Sequence, residues 1–184
     1  MVSRDYVIET PRCRLRCVSE SDIPHVFSAT QFDGFNDGML WDAPKNIEEL
    51  YDPLTRSLEA WASGNAFCFT IESKLERTFI GRISIRKEKV EHVWSIGFWT
   101  HPVHQGKGYM SEAAQAIVAF GFQHLEAKRI EACHALWNLK SEKILKKVGM
   151  RFIKHIPEGF KKKGQWVDEN LLALEKCDWD LLFK

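Results

Sequence analysis

The sequence predicts an α+β fold with a mixed, mostly antiparallel central sheet and helices on both faces. Three β-rich runs separated by polar turns follow one another between residues 66 and 100, which is typical of an antiparallel meander. Further along, helices alternate with single strands, and a helix that crosses between two strands implies parallel neighbours. With 184 residues, 45% of them hydrophobic, we expect one domain over residues 1–184.

The first third of the chain predicts one strand, two helices and a long loop. Weak alternation over residues 14–18 indicates the strand, and a polar Ser-Glu-Ser-Asp segment marks a helix start at Ile23. Residues 47–62 have helical spacing, although Pro53 is a potential kink. Residues 31–45 mix Gly, Asp, Asn and Pro with aromatic residues, so we expect a surface loop there.

The rest of the chain alternates between strand and helix signals. We predict helices over residues 109–124 and 139–148, and strands over residues 66–71, 79–85, 93–100, 129–135, 152–157 and 167–175. Asn138 is a helix N-cap, and Gly149 stands where a helix ends. Gly97, inside the third of these strands, predicts a bulge or a close approach by a ligand, with a merely weakened strand as the alternative.

Composition limits the classes of partner. The chain has 26 basic and 25 acidic residues, and this balance gives no support for a nucleic-acid partner. An odd count of five cysteines without a CxxC pair favours free thiols in a reducing compartment. The N-terminus lacks an apolar signal core, and no run approaches the ~20 apolar residues that span a bilayer. We therefore expect a cytoplasmic protein without membrane contact.

Two charged or metal-binding patterns have plain explanations. The basic run at residues 161–163 stands between Gly159 and Gly164, which predicts a solvated turn. His101 and His104 are close in sequence but flank a turn and lack a third ligand nearby, so we expect no metal.

The most informative motif lies where a strand gives way to a helix, in Gln105-Gly-Lys-Gly-Tyr-Met-Ser-Glu112. Two glycines at such a junction expose several backbone N–H groups, which form a phosphate site with the positive end of the helix dipole. The P-loop string is absent, and a dinucleotide fingerprint would need Gly or Ala in place of Ser111. A plain turn stays open. The residues thus predict a phosphate-bearing ligand without naming it.

An ordered set of motifs surrounds this glycine pair. Before it comes Ile96-Gly-Phe-Trp99, and after it come Arg129-Ile-Glu131, Asn138-x-x-Ser141 and Lys147-Val-Gly-Met150. With Pro11-Arg-Cys-Arg-Leu15 and Trp166-Val-Asp168 they cover nearly the whole chain. The set resembles the GNAT superfamily of acetyl-CoA-dependent N-acetyltransferases. Within it, the chain is similar to the branch that acetylates the N-terminal alanine or serine of ribosomal proteins. The resemblance implies a GNAT-like fold, acetyl-CoA as donor and no metal.

The same resemblance implies a set of donor-site residues. They are Phe98, Trp99 and Thr100 along the pantetheine arm, His104, Gln105, Gly106, Lys107, Gly108, Tyr109 and Met110 at the pyrophosphate, and Asn138 and Ser141 near the thioester. A backbone N–H near residues 98–100 is implied to polarise the thioester carbonyl. Ser141 is a candidate proton donor to the leaving thiolate, and Asn138 can also act as a helix cap.

Two departures from the family pattern affect the expected acid and base. Many relatives carry a glutamate where this chain has Ser95, and many carry a tyrosine where it has Leu145. We therefore expect the base to be Glu91, with His92 and the loop acids Asp33, Asp37 and Asp42 as alternatives. For the acceptor side, we expect Trp41 and Asp42 to line the pocket, although ordinary packing of Trp41 stays open.

The resemblance implies direct transfer of an acetyl group from acetyl-CoA to a primary amine in a ternary complex. An α-amine titrates near 7.7–8.0 and a lysine near 10.4, a gap of roughly 2.5 units or about 3.5 kcal/mol. Since an α-amine needs less help from a base, we expect a protein N-terminus as acceptor, such as that of a ribosomal protein. A small amine (polyamine, amino acid or antibiotic) and a non-catalytic acyl-CoA-binding module are the alternatives. Monomer and homodimer are both compatible with the sequence.

Overall fold

The computed structural model describes residues 2–182, so Met1, Phe183 and Lys184 lie outside the described residues. In that range the helices are α1 (Ile23–Thr30), α2 (Tyr51–Ala62), α3 (Tyr109–His124), α4 (Leu139–Lys147) and α5 (Lys176–Leu182). The strands are β1 (Ile8–Glu9), β2 (Cys13–Cys17), β3 (Ala66–Ser73), β4 (Phe79–Lys87), β5 (Val93–Thr100), β6 (Arg129–Ala135), β7 (Arg151–Lys162) and β8 (Gln165–Glu175).

All eight described strands form one sheet in the order β1-β2-β3-β4-β5-β6-β8-β7. Its neighbouring strands are antiparallel except for β5 and β6, which are parallel. The crossover between these two strands is α3, as a parallel pair requires. The predicted α+β fold with a mixed, mostly antiparallel sheet is confirmed.

The parallel pair opens soon after it begins. Strands β5 and β6 are in register only at Val93–Arg129, Trp94–Ile130 and Ser95–Glu131, and β6 then continues beside β8 alone. On its other side β5 stays in regular register with β4, from Trp94 to Thr100. The bulge expected at Gly97 is therefore wrong. The carboxyl half of β5 instead lacks a ladder partner on the side of β6, which leaves a gap in the sheet.

Helix α3 closes one face of the sheet, and its bounds match the prediction. Ala113, Ile117 and Phe120 are buried on one side of this helix. A Cβ at Gly121 would lie 2.7 Å from Cδ1 of both Ile85 and Ile130, so this position is small because the helix approaches the strands closely. Each large side chain fully buried here stabilises the fold by about 1.5–3 kcal/mol.

Four elements differ clearly from the sequence prediction. The helix expected over residues 47–62 is divided into a 3-10 turn (Ile47–Leu50) and α2, and Pro53 lies in the first turn of α2, where its missing N–H leaves no bond unmade. The strand expected over residues 152–157 extends into the basic run and ends at Lys162. Strand β1 and helix α5 have two and seven residues, too short for a clear periodic signal.

No helix within residues 2–182 is both long and apolar enough to cross a bilayer. The described cysteines are all free thiols, of which Cys13 and Cys17 are buried and Cys133 and Cys177 are exposed. Burial raises the pKa of both Cys13 and Cys17 to about 11. These two thiols are therefore protonated near neutral pH and act as core side chains.

Candidate active site

A cavity of about 1030 Å³ opens where the gap between β5 and β6 meets the start of α3. Four segments form its walls: the loop at residues 32–39, the end of β5, the turn and first residues of α3 at residues 102–111, and α4 with the residues before it. The predicted phosphate motif and the gap in the sheet therefore belong to one site.

The glycine pair has the backbone conformation that only glycine adopts at low cost. Gly106 and Gly108 have φ values of +78° and +82°. A Cβ at Gly106 would meet no heavy atom within 4 Å, so the space above this residue is open. Gly108 is the N-cap of α3 and has no side chain to bond the free N–H groups of the first turn. An anion in the cavity can take those donors, and this arrangement fits a phosphate.

Arg12 and Glu112 brace this loop from behind, a role that the sequence did not reveal. The Arg12 guanidinium donates to the Glu112 carboxylate (Nε–Oε2 2.7 Å) and to the carbonyl of Lys107 (Nη1–O 3.0 Å), and it lies over the Tyr109 ring. Glu112 also accepts from Thr10 Oγ1 at 2.6 Å and from the Arg12 amide at 2.7 Å. The phosphate loop is thereby tied to the turn between β1 and β2.

Helix α4 adds positive charge to the opposite wall. Lys140, Lys143 and Lys147 line the cavity, and their spacing of three and four residues places them on one helical face. Lys140 Nζ lies 3.4 Å from Gln105 Oε1, which connects this wall to the phosphate loop. Three ammonium groups beside free helix N–H groups favour a ligand with several phosphates.

The backbone of β5 offers hydrogen-bonding groups to the gap. Hydrogen bonds from His101 N to Ile80 O and from Glu88 N to Val93 O, both 2.9 Å, mark two bonded pairs of the β4–β5 ladder. Bonded and non-bonded pairs alternate along an antiparallel ladder, and the intervening positions place Phe98 in a non-bonded pair. The N–H and C=O of Phe98 therefore face β6, across the gap. An extended ligand can bond to them as an added strand would.

Asn138 and Ser141 lie together on the same wall. Asn138 Oδ1 accepts a hydrogen bond from Ser141 N at 3.2 Å and caps α4, and both residues line the cavity. The loop on the far side comes close, since a Cβ at Gly38 would lie 3.2 Å from Asn138 Nδ2 and 3.0 Å from the Trp137 ring. Capping by Asn138 and exposure of its side chain to the cavity are compatible.

The family of this protein follows from its similarity to known sequences. The model of the acetyltransferase (GNAT) domain family matches residues 12–151. The chain belongs to the GNAT acetyltransferase family. Among its relatives is the uncharacterized N-acetyltransferase YnaD of Bacillus subtilis (strain 168), 38% identical over 120 residues that cover 63% of this chain and 68% of YnaD.

Solved GNAT structures share the fold over almost the full chain. Mycobacterium smegmatis RimJ, solved in complex with a CoA disulfide, superposes with a TM-score of 0.86 at 19% identity and covers 98% of this chain and 90% of its own. RimL, a ribosomal L7/L12 α-N-protein acetyltransferase solved with coenzyme A, gives 0.84 at 18% identity, with 92% and 98% covered. Because the chain belongs to the GNAT family, it is an N-acetyltransferase with acetyl-CoA as its donor, and the non-catalytic module is set aside.

Most residues expected at the GNAT donor site line the cavity: Phe98, Trp99, Thr100, His104, Gln105, Gly106, Gly108, Tyr109, Met110, Asn138 and Ser141. Lys107 is the exception, because its side chain is exposed outside the lining and its carbonyl accepts from Arg12. The loop glycines, the free N–H groups and the α4 lysines fit the phosphates of the donor, and the gap beside Phe98 fits an extended arm.

The residues expected on the acceptor side lie elsewhere. Glu91 is in the turn between β4 and β5, at the far end of β5 from Thr100, and its side chain is 86% exposed beside His92. Asp42 and Trp41 do not line the cavity, and both contact Lys162. The position where many relatives have a tyrosine is also outside, since Leu145 is fully buried in the core.

Lys162 overturns the solvated turn expected at residues 161–163. Only 7% of its side chain is exposed, and Nζ donates to the carbonyls of Met39 (3.1 Å) and Trp41 (2.7 Å) and pairs with Asp42 Oδ1 at 2.7 Å. The turn begins after Lys162, at Lys163 and Gly164, which both have positive φ. The last residue of β7 therefore holds the loop above the cavity.

His101 and His104, the two histidines at the turn after β5, pack against neighbouring side chains. Burial lowers the pKa of His101 and of His104, and the His101 ring packs on Phe32 and lies 3.3 Å from Ser28 Oγ. Within the described part of the chain, no three His, Cys, Asp or Glu side chains are grouped as metal ligands.

Proposed function

We propose that this GNAT enzyme acetylates the α-amine of a protein N-terminus. One observation carries the proposal: among the described side chains that line the cavity, Asp33 is the single carboxylate, and it is exposed. The imidazole in the lining, His104, stands in the turn beside the phosphate loop, so we expect the acceptor to lose its proton with little help from the enzyme. At pH 7 about a tenth of an α-amine is neutral, against about 1 in 2,500 of a lysine side chain.

The relatives support the same acceptor. RimL is described as acting on the α-amine of ribosomal protein L7/L12, and it shares its fold with this chain almost end to end. A structure from Vibrio cholerae, with a TM-score of 0.82 at 22% identity, carries the name "putative ribosomal-protein-serine acetyltransferase" and covers 95% of this chain and 99% of its own. A ribosomal protein is therefore the first acceptor to test.

The chemistry uses few groups. The amine nitrogen attacks the thioester carbonyl carbon, the C–S bond breaks, and the nitrogen loses its proton to water. We assign the Phe98 N–H to the carbonyl oxygen, which gains negative charge as the bond forms. Ser141, held by the Asn138 cap, is assigned to protonate the departing thiolate and to regain a proton from water. Each of these groups faces the cavity or the gap beside it.

The proposal is tested by thiol release from acetyl-CoA with three matched acceptors. The first is a peptide with a free N-terminal serine, the second is the same peptide with a blocked N-terminus and one internal lysine, and the third is spermidine. We expect turnover with the first acceptor at least tenfold above the other two in kcat/KM. Turnover confined to the lysine peptide would contradict the proposal, and turnover confined to spermidine would establish a small-molecule amine instead.

A further inference from the structure

We infer that Asp33 binds the ammonium group of the acceptor at the cavity wall, and that Lys162 holds the loop in the position that presents it. The inference rests on the proposed function and assigns the group that recognises the charge of the amine. It makes the loop at residues 32–42 the element of this enzyme that selects cationic acceptors.

The loop carries three acids, and two of them are already paired. Asp42 pairs with Lys162 at 2.7 Å, and Asp37 pairs with Lys163 Nζ at 2.9 Å. Asp33 differs from both, because it lines the cavity and none of the ion pairs found among residues 2–182 includes it. Its negative charge is therefore available to a ligand, whereas the other two charges are offset within the protein.

Lys162 holds this loop in position at the cavity wall. A buried ammonium group needs acceptors for its three hydrogens, and Lys162 finds them in Met39 O, Trp41 O and the Asp42 carboxylate. All three belong to the loop, while Lys162 itself ends β7 in the central sheet. The loop is thus anchored to the sheet and not only to its own flanking helices.

Aromatic side chains line the same cavity as Asp33. Phe35 packs edge-on against Trp99 with ring centroids 5.3 Å apart, and Phe32 packs edge-on against His101 at 5.5 Å. Phe32, Phe35 and Trp99 all line the cavity beside Asp33. A carboxylate and aromatic rings in one cavity form a favourable environment for an ammonium ion, since cation–π attraction can add to the ion pair.

The expected role is capture and orientation of the amine. Pairing with Asp33 favours the charged form, so the proton must leave the amine to water before attack, and Asp33 does not speed that step. The contribution of Asp33 therefore belongs to binding of the acceptor. It should change the KM of the acceptor and leave the KM of acetyl-CoA as it is.

The test compares two ligands on three proteins, each saturated with CoA. The ligands are the amine turned over fastest in the acceptor panel and its analogue with hydrogen in place of the amino group. The proteins are wild type, Asp33→Asn and Asp37→Asn, the last as a matched control on the same loop. By titration calorimetry we expect wild type and Asp37→Asn to prefer the amine at least tenfold, and Asp33→Asn to lose most of that preference.

An unchanged preference in Asp33→Asn would overturn the inference, as would an equal loss in both variants. Because the amine is chosen by turnover, a failure of the α-amine proposal is seen in the panel and leaves this test intact. Circular dichroism and acetyl-CoA titration of each variant report folding and an intact donor site. A normal donor affinity together with a lost amine preference is the expected signature of Asp33→Asn.

Discussion

Arg12 and Glu112 are 100 residues apart in sequence, and their side chains meet at 2.7 Å behind the loop that carries the two glycines. The pair joins the turn after β1 to the first turn of α3. From the same position Arg12 donates to the carbonyl of Lys107 and lies 4.8 Å from the centroid of the Tyr109 ring. The donor site therefore depends on a contact made by the N-terminal segment.

Replacing Arg12 by alanine should weaken donor binding. The variant loses the bond to Lys107 and the packing on Tyr109, so the phosphate loop is held less firmly in its binding conformation. We expect the KM of acetyl-CoA to rise about tenfold, equivalent to about 1.4 kcal/mol, with little change in kcat. Arg14→Ala is the control, because Arg14 pairs with Glu9 and Glu72 and not with the loop. Equal effects of the two substitutions would contradict the bracing role.

Glu112 should make part of the stability depend on acid pH. Burial alone would raise the pKa of Glu112, but hydrogen bonds from Thr10 and Arg12 outweigh burial and hold the pKa below its usual range. A lowered folded-state pKa gives stability that is fully present above the unfolded value, about 4.3, and is lost as pH falls through the lowered value.

Urea unfolding between pH 7 and pH 3 should therefore show a smaller acid-induced loss of unfolding free energy in Glu112→Gln than in wild type. At pH 7 the same variant should be less stable than wild type by about 1–3 kcal/mol, since it gives up charge-assisted hydrogen bonds. Glu59→Gln, at an exposed position of α2, serves as the reference. A wild-type pH profile in Glu112→Gln would refute the assignment.

Gly106→Ala should impair donor binding through the ligand and not through the fold. Gly106 and Gly64 both have positive φ, +78° and +73°, and a Cβ at either would meet no protein atom within 4 Å. Alanine costs about 1–2 kcal/mol of backbone strain at both positions, but only Gly106 lines the cavity. We expect both variants to lose similar thermal stability and only Gly106→Ala to lose acetyl-CoA affinity, by tenfold or more in titration calorimetry.

The phosphate loop of the donor site could be predicted from sequence because its backbone is set locally, whereas the Arg12–Glu112 contact behind it could not. A glycine pair between a strand and a helix specifies the backbone of Gly106 and Gly108 whatever surrounds it, and Asn138 caps the helix that it precedes. The acceptor side depends on contacts between distant segments. Lys162 lies in a basic run for which the sequence predicts a solvated turn. Only the tertiary structure brings Lys162 into contact with Trp41 and Asp42.

The difference between local and long-range determinants also explains the predictions made for Glu91 and Gly97. Glu91 is a candidate base by sequence because it is close to β5. The structure shows that Glu91 precedes the start of this strand, whereas the cavity lies at the other end of the strand, beside Thr100. At Gly97 the predicted bulge is absent, since β4 and β5 stay in register there, whereas the other expectation, a close approach by a ligand, stays a prediction. The opening of the sheet follows from where β6 leaves β5 after Ser95, which no residue type at Gly97 determines.

The lysines of α4 should make donor binding sensitive to salt. Lys143 and Lys147 line the cavity, whereas Lys146 is on another face and pairs with Glu142 at 2.7 Å. We expect Lys143→Gln and Lys147→Gln each to raise the KM of acetyl-CoA several-fold at low ionic strength, and the effect to shrink as salt screens the charges. Lys146→Gln should leave that KM unchanged. A salt-independent effect would point to packing and not to charge.

Lys162→Met should loosen the acceptor loop while the donor site stays intact. Methionine fills a similar volume but leaves the carbonyls of Met39 and Trp41 without their donor and Asp42 without its counter-charge. We expect a loss of about 1–3 kcal/mol in unfolding free energy, faster proteolysis within residues 36–42 and a several-fold higher acceptor KM, with the KM of acetyl-CoA unchanged. Lys161→Met, on the same strand but exposed over Trp166, is the matched control. If both variants were cleaved at the same rate, Lys162 would not be the anchor of the loop.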